Sequence, residues 1–243
     1  MLNENKPASG LVFCFLSAFC LFISNAAAQL RTPVKDITPR MNEEYLYNKK
    51  VFGVNKVMPQ EFEKQILTAL SYFPELRETK ITFTLAKGNS GVIETRPEWV
   101  SVFRNSRARA YVVFIGDSSS KYSPPFKFRD SPINGQVGII GHELSHILYF
   151  SRRNTFGLLK TGIAHVSTRY MDNFENKTDS VCIERGFGYQ LIDWNIYLRK
   201  AFGVKDPESG PDPFLNDTTR ERYMPPYRIR EVMKKSTAYK AFH

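Results

Sequence analysis

Hydrophobic and polar positions alternate between three regimes along the chain. The first is an unbroken apolar run from Leu11 to Ser24, preceded by a polar decapeptide and followed by Ala26-Ala27-Ala28. An apolar core of this length ending in an A-x-A site predicts a secretory signal peptide over 1–28, with a retained anchor helix as the alternative. Residues 29–58 are charged, carry Pro33 and Pro39, and show little periodicity, which predicts an N-terminal arm. A helix is expected from Pro59 with the apolar face Phe62, Ile66, Leu67 and Leu70.

Strand patterning follows. Lys80 to Ala86 alternates, Lys87-Gly88-Asn89 reads as a turn, Val92 to Thr95 as a weak strand and Arg109 to Gly116 as a strong one. Asp117 to Pro132 is rich in Ser and Pro and reads as a loop. The pattern then turns helical: about 135–150, 156–169, 173–202 and 226–236, with the loop Pro207 to Asn216 before the last helix. Strands first and helices after predict one α+β domain over 59–243, a small antiparallel or mixed sheet followed by helices.

Composition narrows the picture. The chain has 243 residues, 42% hydrophobic and 14% aromatic, with a net charge of +10. These values exclude disorder and a polytopic membrane protein. Removal of 1–28 would take Cys14 and Cys20, leaving Cys182 and no internal disulfide. An exported protein without disulfides fits a bacterial periplasm, cell surface or secreted milieu, and the sequons at Asn176 and Asn216 are then chance matches. The basic residues are dispersed and no nucleic-acid motif occurs, so a solvated surface with loose affinity for anionic envelope components is expected. Most of the aromatics are expected in the core.

The chemistry concentrates in His142-Glu143-Leu144-Ser145-His146. On a helix, positions i and i+4 share a face, so both imidazoles can reach one metal ion. Glu143 is placed to take a proton from a water on that metal, and zinc suits three protein ligands with one open position. Chance gives this motif in roughly 0.4% of chains with this composition. The flanks Val137 to Gly141 and Ile147 to Phe150 are apolar, which predicts a buried helix whose polar groups need partners.

A metzincin would have Gly and His at 149 and 152; this chain has Tyr149 and Arg152. The next candidate is Glu175 with Asp179, one turn apart, on a face continued by Cys182 and Gly186. Glu175 would bind the metal, and Asp179 would accept a hydrogen bond from a ligand histidine. Asp179 and His165 remain alternative third ligands.

These residues resemble the gluzincin zinc metallopeptidases, and within them the minimal core of the CAAX-prenyl-protease-like peptidases, over about 135–190. The resemblance implies a zincin-like fold, one Zn2+ per chain held by His142, His146 and Glu175, Glu143 as general base, and Asp179 behind a ligand. It implies hydrolysis of peptide bonds in a peptide or protein substrate. It also implies an edge strand along the cleft, for which Arg109 to Gly116 is the candidate. His165, Tyr223, Tyr227 and Arg228 are candidate oxyanion donors. The alternatives are a non-catalytic envelope binding protein on the same fold and a metal-dependent hydrolase of a non-peptide amide.

Overall fold

The alternating segment Lys80–Ala86 and the apolar segment Ala110–Gly116 become neighbouring strands. In the computed structural model, which describes residues 31–86, 93–116 and 126–240, they are β2 and β4 of a four-stranded sheet. The expected signal peptide and the Lys87-Gly88-Asn89 turn lie outside the described residues. β1 (Lys56–Val57) and β3 (Glu94–Pro97) complete the sheet, in the order β1-β2-β4-β3. β1 and β4 run parallel to β2, and β3 runs antiparallel to β4, with Thr95 opposite Val113. The sheet is therefore mixed. β4 is buried along most of its length, as expected of a strand paired on both sides.

This order corrects the edge-strand expectation. Arg109 to Gly116 is interior, and β3, the short segment with weak patterning, forms the edge. Pattern strength reflects how fully a strand is buried, and edge strands are covered on fewer sides.

The N-terminal segment also differs from the expected arm. It forms helices α1 (Thr38–Glu43) and α2 (Tyr45–Phe52), and Ile37, Met41 and Phe52 are buried. Few of its side chains reach the core, so it carries little apolar periodicity. A 3-10 turn Gln60–Phe62 leads into α3 (Glu63–Leu70), whose apolar face joins the core.

The helices after the sheet are α4 (Ile133–Ser151), α5 (Thr155–Ala164), α6 (Thr168–Cys182), α7 (Gly188–Ala201) and α8 (Pro226–Lys235). α4 packs on α3, α6, α7 and β3, which makes it the central helix. Its approach to α7 depends on Gly138, where a Cβ would stand 2.5 Å from the Gln190 carbonyl carbon. The expected single helix over 173–202 is broken by a π turn at Ile183–Phe187 containing Gly186 at φ 103°. Glycine adopts that conformation freely, so the chain can redirect there. α6 then packs on one side of α4 and α7 on another. Cys182 packs at this junction, its Sγ 3.7 Å from the Gly138 carbonyl oxygen. Among the described residues no helix is long and apolar enough to cross a membrane.

Candidate metal centre

α4 brings the two histidines together by helical spacing alone. His142 and His146 are one turn apart and both are buried, with Nε2 atoms 3.1 Å apart. Nearly the whole helix is buried, because apolar residues surround the motif.

α6 supplies the opposite wall. Ser167 caps its start by accepting from the Tyr170 amide, and the helix turns Phe174, Glu175, Thr178, Asp179 and Cys182 inward. Glu175 Oε2 stands 3.1 Å from His142 Nε2 and 3.3 Å from His146 Nε2. These three atoms form a nearly equilateral triangle. Tetrahedral zinc with bonds of about 2.0–2.1 Å holds its ligand atoms about 3.3 Å apart. The donor set and its spacing thus fit that ion.

The far side of each imidazole is fixed. His142 Nδ1 donates to Asp179 Oδ1 at 2.8 Å, and the other oxygen, Asp179 Oδ2, accepts from the Met224 amide at 2.9 Å. Thr178 Oγ1 donates to the Phe174 carbonyl, so its lone pair is free to accept from His146 Nδ1 at 3.3 Å. Both rings then carry the proton on Nδ1 and turn Nε2 toward the triangle. Thr178 is absent from the sequence reading, although its position three residues after Glu175 places it on the same helix face.

Glu143 stands beside the triangle, its carboxylate within 4.8 Å of the His142 and His146 donor atoms. It is buried, and Oε2 finds no hydrogen-bond partner among the described residues. Burial pushes its carboxyl above the ordinary carboxylate range, against the opposing pull of His146 and His142.

Tyr223 closes the site from the C-terminal segment, with its ring centroid 5.9 Å from that of His142. Its placement rests on a residue outside the candidate set. Asp212 is buried and accepts from the amides of Arg222 and Tyr223 through Oδ2 and of Phe214 through Oδ1. The buried Arg199 holds the same loop by donating to the Gly210 and Pro211 carbonyls. Burial, with the charges of Glu175 and Glu143, pushes the Tyr223 hydroxyl well above its usual value. It therefore stays neutral and able to donate.

A cleft of about 420 Å³ opens over these groups, lined also by Glu94 and Thr95 of β3. His165 lines it too, but its Nδ1 already donates to the Thr161 carbonyl at 2.6 Å. Tyr227 and Arg228 are exposed on α8 and do not line the cleft, because that helix turns Ile229 and Met233 inward instead.

The electrostatics of the triangle have a measurable consequence. Burial alone would lower the His142 pKa, yet hydrogen bonds to Asp179 and Glu175 and their charges raise it well above 6.5. Glu175 is depressed despite burial, held down by both histidines. Without a metal, the protonated His142 stabilises the fold fully below pH 6.5, and this contribution fades as pH rises through its raised pKa. The ionised Glu175 contributes above pH 4.5, and its contribution fades as pH falls toward its depressed pKa. At pH 7 the metal-free site therefore holds a proton on His142 that zinc must displace. Calorimetric zinc titrations in buffers of different ionisation heat are expected to report release of about one proton per zinc. Identical heats in all buffers would contradict this protonation state.

Comparison with protein-family models, curated proteins and solved structures finds no match to this chain.

Proposed function

We propose that this chain is an exported zinc-dependent peptidase with a zincin-like fold, hydrolysing peptide bonds at the cleft between α4, α6 and β3. The observation that carries this reading is the triangle of His142 Nε2, His146 Nε2 and Glu175 Oε2, with both rings oriented from behind. Zinc held there supplies Lewis acidity, lowering the pKa of a water toward neutrality and polarising a carbonyl.

The chain's own groups have separate roles. Glu143 accepts the water proton at its unpartnered oxygen and passes it to the leaving amine. Its raised pKa brings it closer to the working range of a group that both takes and gives a proton. Tyr223, kept neutral, donates to the developing oxyanion. It suits that role better than His165, whose Nδ1 proton is committed to Thr161. Along β3, an edge strand among the described residues, Glu94 and Thr95 border the cleft, so a substrate backbone can add there as a further strand. Asp179 and Thr178 hold the rings from behind. A buried carboxylate beside the triangle, with one oxygen that finds no partner among the described residues, favours catalysis over the purely binding alternative, which has no use for a base.

The test is digestion of an unbiased peptide library by the zinc-loaded chain. Cleavage abolished by a chelator and restored by zinc is expected. A chain that holds one zinc yet leaves every peptide intact rejects peptides as the substrate.

A further inference from the structure

A second concentration of chemistry lies outside the metal centre, on the face built by α5 and the 3-10 turn Trp99–Phe103. From the turn, Trp99, Val100 and Phe103 stand 76–77% exposed; from α5 and the residues after it, Phe156, Ile163 and Val166 stand 75–87% exposed. Phe156, Leu159 and Ile163 follow i, i+3, i+7 spacing, the stripe a globular helix normally turns to its core. Here the stripe faces outward, and Leu158 and Thr161 make the inward contacts. Most aromatics among the described residues join the core as expected, and Trp99, Phe103 and Phe156 on this face are exceptions.

The two elements form one surface. Thr155 Oγ1 donates to the Val102 carbonyl at 2.9 Å, and the buried Arg109 guanidinium donates to the Arg153 carbonyl and to Thr155 Oγ1. Between them runs a groove of about 470 Å³ bordered by Trp99, Leu159 and Ile163. It reaches Thr95, Phe150 and His165, which also line the metal cleft.

Charge identifies what covers this face. Residues 99–109 and 151–171 contain Arg104, Arg107, Arg109, Arg152, Arg153, Lys160 and Arg169, and no Asp or Glu. Arg104, Arg107, Lys160 and Arg169 are exposed and make no ion pair among the described residues. The acids that flank these segments in sequence are Glu98, exposed beside the turn, and Asp172, which is engaged by Arg220 and Arg222. Large exposed apolar side chains on the same segments as exposed cations match the boundary between acyl chains and anionic headgroups. A protein partner for the apolar groove would leave the cations unexplained.

We infer that this face docks on an anionic lipid bilayer, with Trp99, Phe103, Phe156 and Ile163 entering the headgroup–acyl boundary and Arg104, Arg107, Lys160 and Arg169 contacting lipid phosphates. The groove then leads from the lipid surface to the metal cleft. The inference is independent of the metal reading, and its test does not use catalysis.

Trp99 provides the readout. The chain has two tryptophans, and Trp194 is 3% exposed. A signal at Trp99 also separates this face from any tethering through the apolar run Leu11 to Ser24. The full chain is mixed with vesicles of brominated phosphatidylcholine, with and without phosphatidylglycerol. On the anionic vesicles the emission is expected to shift blue and be quenched, and Trp99→Phe should lose both effects. The double variant Arg104→Ala/Lys160→Ala, with unchanged circular dichroism, should weaken the quenching interaction about thirtyfold. Three results would overturn the inference: Trp99 emission unchanged on vesicles that carry the chain, quenching that ignores lipid charge, or a dimer in solution that already shields Trp99.

Discussion

Glu143→Gln is expected to keep zinc at one per chain while lowering kcat/KM by about 10³-fold, through kcat with little change in KM. Glutamine preserves the size and shape of the side chain but cannot take a proton. The carboxylate is 4% exposed, its Oε2 has no partner among the described residues, and an amide at this position can still accept from Thr95, so little structural bonding is lost with the charge. Burial already disfavours that charge, so the variant should unfold at the same or a higher temperature than the parent. Steady-state kinetics, zinc analysis and thermal unfolding check the three parts together. Retained activity would reject Glu143 as the base; lost zinc would move it into the ligand set.

His142→Ala is expected to abolish zinc binding and to lower the stability of the fold. The imidazole is one corner of the donor triangle and lies between two buried carboxylates, bonded to Glu175 through Nε2 and to Asp179 through Nδ1. Its removal leaves Asp179, 2% exposed, and Glu175, 7% exposed, without their shared partner. Breaking a buried ion pair from one side costs about 3–5 kcal/mol. For a chain of this size that lowers the midpoint of thermal unfolding by about 10 °C. Zinc should no longer protect the variant, whereas it should raise the midpoint of the parent. An unfolding midpoint equal to the parent's, with zinc still protective, would remove His142 from the centre of the site. The contrast with Glu143→Gln is the useful part: neighbouring residues on α4 should fail in opposite ways.

The parts of this site that were legible in sequence are those generated by local periodicity. His142 and His146 meet because of the helical repeat, and the apolar residues around them announce burial. Glu175 and Asp179 share a face for the same reason, and the structure brings that face to within 3.1 Å of His142. Thr178 lies on the same turn, but a threonine in a helix carries no chemical signature on its own.

Other features depend on tertiary contact and left no such trace. Asp212 and Arg199 organise the loop that carries Tyr223, yet Asp212 sits in an irregular stretch rich in proline and Arg199 in the last turn of α7. Strand order followed pairing partners rather than apolar content, which is how the weakly patterned β3 came to form the edge of the sheet beside the cleft. The N-terminal helices reach the core through isolated side chains such as Ile37, Met41 and Phe52, too few to print a period. On α5 the period is present but inverted: an apolar stripe predicts which residues share a face, and says nothing about whether that face meets a core or a lipid surface.

The central claim is that His142, His146 and Glu175 hold a metal ion, with Asp179 acting only through His142. Zinc content of the purified chain, measured after exposure to excess metal and gel filtration, tests it most directly when Glu175→Ala and Asp179→Ala are run alongside. One zinc per parent chain, none in Glu175→Ala, and binding weakened about 10–100-fold but still detectable in Asp179→Ala is the expected result. No zinc in the parent chain, or zinc retained by Glu175→Ala and lost from Asp179→Ala, would contradict it.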